Sequence, residues 1–116
     1  MVKNQMFDAS HIKNRDVYKV YCDQNGVIQE GFIEYQDYTY YMSLSEDTGY
    51  LRGLHQINDK TYYFNNEGHL VRDEWININN YLYYFNQDGC LYRNQLATVD
   101  SKLYYFDEEG NFLPKR

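Results

Sequence analysis

The residue types that most often carry out catalysis are few in this sequence, and they are scattered. His11, His55 and His69 lack the spacing of a metal site, and no second type of metal ligand clusters with them. Cys22 with His11 or His55 is a nominal pair of nucleophile and base, but nothing in the local sequence positions or activates a thiolate. We therefore predict that the chain is not an enzyme and has no catalytic residues, no metal site and no cofactor.

Aromatic side chains are abundant, and the chemistry they offer is stacking. Fifteen Tyr, six Phe and one Trp make up 19% of the chain. A sugar ring can lie on a flat aromatic face while a tyrosine hydroxyl hydrogen-bonds it. Because a repeat also needs rings to hold itself together, each candidate has a purely structural role as its alternative.

The elements that must position these rings are short repeats. Tyr-Tyr-Phe recurs at 62–64, 83–85 and 104–106, at intervals of 21 residues, and a glycine follows four residues after each Phe. These glycines are Gly68, Gly89 and Gly110. Weaker copies at 40–42 and 20–22 extend the series upstream to about five units, which indicates a repeat architecture.

Each unit has the residue pattern of a β-hairpin. In the clearest unit, 75–78 is a short strand, Asn79-Asn80 is a tight turn whose residues tolerate positive φ, and 81–86 is the returning strand. Asn58-Asp59 and Asp100-Ser101 hold the turn position in neighbouring units. Because a lone hairpin is only marginally stable in water, the units must stack. We predict an all-β fold, a single-domain β-hairpin solenoid of about five repeats.

The predicted organisation has three parts. Residues 1–15 fit no repeat and are interpreted as an N-terminal capping segment, because the ends of a repeat array must be covered. Residues 16–113 form the repeat array, and residues 114–116 form a short tail.

The repeated pattern resembles a known family. A glycine with an aromatic residue, a polar turn, Tyr-Tyr-Phe and a second turn with glycine are similar to the cell-wall-binding repeats of choline-binding proteins, streptococcal glucan-binding domains and clostridial toxin C-terminal repeats. The resemblance implies a β-solenoid with ligands in shallow aromatic cavities between hairpins. The candidate ligand-binding residues that it implies are Phe32, Tyr62, Trp75, Tyr83 and Tyr104. A choline cage needs several rings, but the residue before each tyrosine pair is not aromatic. The resemblance therefore favours a glucan-type ligand. The residues at that position are Thr39, Thr61, Leu82 and Leu103.

The function predicted from these features is non-catalytic binding of cell-surface carbohydrate or glucan. The partner would then be a carbohydrate or another cell-surface polymer. No stretch approaches the ~18 apolar residues of a membrane span, and residues 1–15 do not read as a secretory signal. We therefore expect a cell-surface or secreted location if the chain is a fragment of a larger protein, and a cytoplasmic one if it is complete.

The distribution of charge supports an alternative function. Residues 31–110 carry thirteen acids and five bases, an excess that would repel nucleic acid. The alternative is a small acidic intracellular protein, for example a phage-encoded, anti-CRISPR-like one, which inhibits a nucleic-acid-handling enzyme by charge mimicry. Its partner would be a basic protein. A structural spacer is the third option. The acidic interface would comprise Glu67, Asp73, Glu74, Asp88, Asp107, Glu108 and Glu109.

Overall fold

The computed structural model describes residues 4–113, most of which lie in β-strands and turns. The strands are β1 (Gln5–Asp8), β2 (Lys19–Cys22), β3 (Ile28–Gln29), β4 (Gly31–Tyr35), β5 (Tyr38–Met42), β6 (Gly53–Ile57), β7 (Lys60–Phe64), β8 (Glu74–Ile78), β9 (Tyr81–Phe85), β10 (Gln95–Val99), β11 (Lys102–Phe106) and β12 (Phe112–Leu113). A short helix, α1 (Ser10–Lys13), follows β1. The predicted all-β class of β-hairpins is confirmed. The predicted tail at 114–116 lies outside the described residues.

The strands form small sheets that belong to two compact units. β4-β5, β6-β7 and β8-β9 are two-stranded, whereas β1-β2-β3 and β10-β11-β12 are three-stranded. The first unit comprises the residues up to Gly53 together with Phe64–Leu70. The second unit comprises Leu54–Tyr63 and the residues from Val71 onward. Part of the predicted capping segment pairs with the first predicted repeat, because β1 is hydrogen-bonded to β2.

The hairpin turns have the geometry that their residues favour. Each has two central residues with positive φ, as in a type I′ turn, whose twist matches that of the flanking strands. Asn79 and Asn80 have φ values of 54° and 72° and place Ile78 opposite Tyr81. The same conformation confirms the predicted turns at Asn58-Asp59 and Asp100-Ser101 and adds one at Gln36-Asp37.

A second type of turn follows the returning strand of a hairpin and ends in glycine. In the 65–68 turn the Gly68 amide donates to the Asn65 carbonyl at 2.9 Å, and the Asn65 side chain accepts the amides of Glu67 and His69. Gly68 has a φ of 83°, and a Cβ there would lie 2.4 Å from a ring carbon of Tyr50. Glycine is therefore favoured at this position both by its backbone conformation and by the close approach of a buried ring.

The core is formed by the last residue of each aromatic triplet. Phe64, Phe85 and Phe106 have no exposed surface, and Met42 holds the same place in β5 with 1% exposure. Side chains alternate across a strand, so the residue before each of these points to the opposite face. The structure thereby assigns the faces that the sequence left open: the face of the Phe residues is the core face.

Candidate functional site

Trp75 is the centre of an aromatic cluster in the second unit. It lies in β8 opposite Tyr84 of β9, and the two rings meet edge to face with centroids 5.1 Å apart. The Asn79-Asn80 turn fixes this register, because turn type and loop length determine which residues face each other. Trp75 as a whole residue is half-buried.

The hairpin β10-β11 and strand β12 supply three further rings to Trp75. The ring centroid of Tyr104 lies 5.3 Å from that of Trp75, with an angle of 73° between the ring planes. For Phe112 the centroid distance is 5.5 Å and the interplanar angle is 70°. The buried Phe106 lies 6.1 Å away at 35°. Aromatic pairs of this kind each stabilise a fold by about 0.5–1.5 kcal/mol beyond the burial of their area. Trp75 therefore packs between two hairpins, which is the structural role considered for the aromatic residues above, and the residue is half-buried there.

Tyr92 extends this surface. Its ring is nearly parallel to that of Tyr84, with an interplanar angle of 16° and centroids 5.6 Å apart, and it rests on Phe106 at 5.4 Å. Trp75, Tyr84 and Tyr92 are all half-buried. We call Trp75 and the rings joined to it by these contacts the Trp75 cluster. Its members are Trp75, Tyr84, Tyr92, Tyr104 and Phe112.

The Tyr84 hydroxyl gives the Trp75 cluster a hydrogen-bond donor. Burial, and after it the negative charges of Asp73 and Asp100, raise the pKa of Tyr84 above its usual range. The phenol therefore stays protonated at neutral pH and can donate a hydrogen bond as well as accept one. Flat faces beside a neutral hydroxyl suit a polyhydroxylated ring.

Two of the other predicted ligand-binding residues, Phe32 and Tyr83, have different surroundings from Trp75. Phe32 is in β4 of the first unit, is 43% exposed and meets Tyr41 edge to face at 4.9 Å. It also packs against Phe64 at 6.5 Å. Tyr83 is half-buried in β9 opposite Ile76. Among the predicted set, the structure brings Tyr104 to Trp75. Their binding of a ligand stays a prediction.

The fifth predicted residue, Tyr62, has its hydroxyl engaged within the fold. Burial, followed by a hydrogen bond with the Cys90 thiol, raises the pKa of Tyr62. Cys90 and Cys22 are both free and half-buried. The contact makes Tyr62 a link between β7 and the turn that precedes β10, which is the structural alternative to ligand binding.

In the first unit, the position in the repeat that Cys90 holds in the second unit is occupied by His69, which has aromatic neighbours. The His69 ring stacks on Tyr38 with centroids 3.6 Å apart and an angle of 7°. Its Nε2 lies 3.0 Å from the Tyr40 hydroxyl, and its Nδ1 lies 3.9 Å from a carboxylate oxygen of Glu67. The structure thus holds the His69 ring in place by a stack and a polar contact.

A polar groove of about 260 Å³ lies in the second unit beside Cys90. One side is formed by Asp59, Lys60 and Thr61, and the other by residues of the 86–95 segment, among them Asp88 and Arg93. The first unit has an apolar cavity of about 220 Å³ beside Tyr18 and a polar groove of about 460 Å³ beside Arg15.

The acids of the alternative interface differ in how accessible they are. Asp107 is half-buried, and its carboxylate accepts the amides of Glu109 and Asn111 at 2.9 Å, which commits it to the 107–110 turn. The other six acids are exposed. Glu67 belongs to the first unit, and the remaining ones belong to the second. The role of these acids in binding a partner stays a prediction.

Within residues 4–113, no group of three or more His, Cys, Asp and Glu residues could hold a metal ion. No helix in that range is long and apolar enough to span a bilayer.

Sequence reasoning did not select Tyr84 or Tyr92 as site residues. The available signal for Tyr84 was its place opposite Trp75, which follows from a two-residue turn at 79–80. Tyr92 follows the Leu91 anchor directly, and its stack on Tyr84 depends on how the chain folds back after the 86–89 turn. Local patterns do not encode that approach.

The repeats match two families of known domains. Residues 71–113 match the family described as "Choline-binding repeat". Residues 53–70 match the family described as "Putative cell wall binding repeat". No curated protein matches the chain by sequence.

Solved structures show the same fold. The modular autolysin LytC from Streptococcus pneumoniae aligns with 97% of this chain at 20% identity and a TM-score of 0.73. Choline-binding protein F from the same organism aligns with 81% at 24% identity and a TM-score of 0.66. The choline-binding domain of Spr1274, also from Streptococcus pneumoniae, aligns with 73% at 24% identity and a TM-score of 0.61.

The share of each relative that is covered varies. This chain spans 25% of the LytC chain and 34% of choline-binding protein F, but 95% of the Spr1274 domain. The solved structures share the fold of this chain, and the two family matches together extend over residues 53–113. The repeats of residues 53–113 are therefore of the cell-wall-binding, choline-binding type.

Proposed function

We propose that the chain uses the Trp75 cluster to bind carbohydrate of the cell surface, such as a glucan or a wall glycan. The binding is non-catalytic. The observation that carries this proposal is that Trp75, Tyr84 and Tyr92 are only half-buried, with Trp75 and Tyr92 packed on the buried ring of Phe106. Rigid aromatic side chains contact a ligand with little loss of conformational entropy. Their flat faces suit the apolar faces of sugar rings, and the Tyr84 hydroxyl suits a sugar hydroxyl.

The ligands of related proteins support wall glycans as the first class to test. LytC has been solved with a synthetic peptidoglycan ligand, and choline-binding protein F in the presence of a tetrasaccharide-pentapeptide analogue of peptidoglycan. Choline-binding protein F has also been solved with ipratropium. Choline is therefore the necessary comparison, since several rings around one site also attract a quaternary ammonium.

The test uses Trp75 as its own reporter, because it is the single tryptophan of the chain. The fluorescence of the protein is titrated with dextran, purified wall polysaccharide and choline chloride. We expect a spectral change with polysaccharide that varies little between low and high salt, because ring stacking is not screened by ions. Saturation by choline but not by polysaccharide would replace the carbohydrate proposal with choline binding.

Substitutions assign the binding to the cluster. In the Trp75→Leu variant, leucine replaces tryptophan. The last hairpin already has leucine at the equivalent position, where Leu96 lies opposite Tyr105. We expect at least about tenfold weaker retention on insoluble polysaccharide, equivalent to about 1.4 kcal/mol. Tyr81→Leu is the matched control, because Tyr81 is 50% exposed in the same hairpin but lies outside the Trp75 cluster. Absence of polysaccharide binding at millimolar protein, or equal loss in both variants, would refute the proposal.

The charge-mimicry function is the second candidate, and the exposure of six of its seven acids favours it. In this alternative the chain would occupy the basic nucleic-acid channel of an enzyme, and its affinity would fall steeply with salt. Neutralising the six exposed acids to Asn or Gln should then abolish inhibition of the partner enzyme. An unchanged complex after these substitutions would exclude the charge-mimicry mechanism.

A further inference from the structure

Two successive repeats form the same pair of backbone hydrogen bonds but carry different side chains around them. We call this arrangement of two backbone hydrogen bonds the frame of the repeat. In the first, the Asn65 amide donates to the His69 carbonyl at 3.0 Å, and the Leu70 amide donates to the Thr39 carbonyl at 2.8 Å. In the second, the Asn86 amide donates to the Cys90 carbonyl at 2.9 Å, and the Leu91 amide donates to the Thr61 carbonyl at 2.8 Å. Cys90 therefore stands in the second frame where His69 stands in the first, and Lys60 stands where Tyr38 does.

The side chains at these two positions decide whether the frame is filled. In the first frame the imidazole of His69 lies flat on Tyr38 at 3.6 Å and reaches the Tyr40 hydroxyl. In the second frame the side chain of Cys90 ends at its sulfur, and Lys60 replaces the flat ring by a flexible chain. The groove of about 260 Å³ borders on both Lys60 and Cys90. Its lining residues Lys60, Asp88 and Cys90 hold the positions that Tyr38, Glu67 and His69 hold in the first repeat.

The occupied frame indicates what the open one can hold. The first frame accepts a flat ring that stacks along a strand and forms polar contacts at its edge. A volume of about 260 Å³ is somewhat below the range of about 300–1,000 Å³ that is typical of drug-sized ligands, and so suits one small ring. The ligand expected in the groove is therefore a single polar ring.

The lining of the groove narrows the chemistry further. Lys60 and Arg93 are balanced by Asp59 and Asp88, so the four charges sum to zero. Carboxylates accept and guanidinium groups donate pairs of hydrogen bonds, which matches neighbouring hydroxyls on a sugar. No aromatic residue is among the lining residues, so a quaternary ammonium would find no ring to replace its hydration.

We propose that this groove, between Lys60 of β7 and Cys90 of the following turn, binds one neutral pyranose unit of a glycan. The site is distinct from the Trp75 cluster and uses hydrogen bonds in place of stacking. It rests on the proposed carbohydrate-binding function and adds to it a second subsite with a defined ligand class.

Cys90 reports on the groove, because its thiol is half-buried at the groove wall. In a Cys22→Ser variant it is the only remaining cysteine of the two in the chain, and its rate of alkylation by iodoacetamide is measured. The probes are glucose, galactose and N-acetylglucosamine, with glucose 6-phosphate and choline chloride for comparison. If a neutral sugar binds with a Kd of about 5 mM, then about 50 mM sugar should slow alkylation about tenfold.

The control for general effects of sugar on alkylation is the Cys90→Ser variant, in which Cys22 is the reporter. Its rate should not change with any probe. Unchanged alkylation of Cys90 with all three neutral sugars would overturn the proposal, and so would equal slowing at Cys22. Slowing of Cys90 alkylation by glucose 6-phosphate or choline alone would also overturn it, because the groove would then select charge.

A second variant tests the groove without using the thiol. Cys90→His combined with Lys60→Tyr rebuilds the stack that His69 and Tyr38 already form in the same backbone frame, so the fold should persist and the groove should be filled. The amide resonance of Leu91 should then no longer shift with the sugar that protects Cys90. A shift of the same size in this variant would contradict the groove assignment.

These outcomes separate the groove from the Trp75 cluster. Protection of Cys90 by a sugar without polysaccharide retention would support the groove and refute the polymer-binding function. Polysaccharide retention that depends on Trp75, with no protection of Cys90 by any neutral sugar, would leave the proposed function standing and overturn the groove.

Discussion

Substituting Gly68 by alanine tests whether the close packing of the glycine turn against Tyr50 stabilises the fold. The backbone of Gly68 has a φ of 83°, and its added Cβ would lie 2.4 Å from one Tyr50 ring carbon and 2.8 Å from another. Tyr50 is only 6% exposed, so the ring has little space into which it can move. Either the ring or the turn must shift to accept the methyl group.

Gly26 provides a matched control for the backbone conformation. It closes the same kind of turn, with its amide donating to the Asp23 carbonyl at 2.9 Å, and its φ is 81°. A Cβ at Gly26 would meet no atom within 4 Å. Both substitutions therefore carry the same backbone strain, and only Gly68→Ala adds a steric clash.

Backbone strain and steric overpacking lead to different expected losses of stability for the two variants. The left-handed conformation costs a residue with a Cβ about 1–2 kcal/mol, which is the whole effect expected for Gly26→Ala. Overpacking adds about 1–3 kcal/mol, so Gly68→Ala should lower the free energy of unfolding by about 2–5 kcal/mol. Because alanine changes the unfolded chain equally at both sites, the difference between the variants isolates the packing of Tyr50.

Urea unfolding followed by far-ultraviolet circular dichroism measures both variants against the parent chain. Equal m-values are required for the comparison, since a changed slope indicates a changed unfolding reaction. Equal destabilisation by Gly68→Ala and Gly26→Ala would refute the inferred contact between the 65–68 turn and Tyr50.

Three further predictions address the core, the tyrosine hydroxyls and the histidine stack. Phe85→Ala should destabilise the chain by about 3–5 kcal/mol in urea, because Phe85 is fully buried; a loss below 1 kcal/mol would contradict its place in the core. Burial raises the pKa of Tyr84 from 10.0, so this tyrosine stabilises the fold below about pH 10 and the contribution is lost as the pH rises through the higher folded-state pKa. Unfolding measured from pH 8 to pH 11 should show a smaller alkaline loss in Tyr84→Phe, and identical profiles would contradict the raised pKa. A double-mutant cycle with Tyr38→Ala and His69→Ala should give a coupling of about 0.5–1.5 kcal/mol; additive effects would exclude the stack.

Much of the local fold could be predicted because neighbouring residues determine it. Asn79-Asn80 favours two positive φ values whatever surrounds it, and a two-residue turn then fixes which residues face each other. The 21-residue spacing of the triplets likewise predicted repeated hairpins. The capping segment was less predictable, because the pairing of β1 with β2 joins residues that are distant in sequence and lack the repeat pattern.

The candidate site was predicted only in part. Trp75 and Tyr104 were selected from their places in the repeat, and the structure brings them within 5.3 Å. Phe32 has the corresponding strand position but belongs to the other unit. The Tyr84-Tyr92 stack could not be predicted from local patterns, since one ring comes from a strand and the other from a connecting segment.

The sequence by itself determined the hairpins, their turns and the periodic placement of aromatic rings, because strand alternation and turn chemistry act over a few residues. Tertiary structure alone decided which rings are buried and which stay partly exposed. It also decided that the His69 ring stacks on Tyr38, whereas Cys90, at the equivalent position of the next repeat, lines a groove. The physical reason is that exposure and open volume depend on side chains that approach from other hairpins. Two repeats with the same backbone hydrogen bonds can therefore present different surfaces.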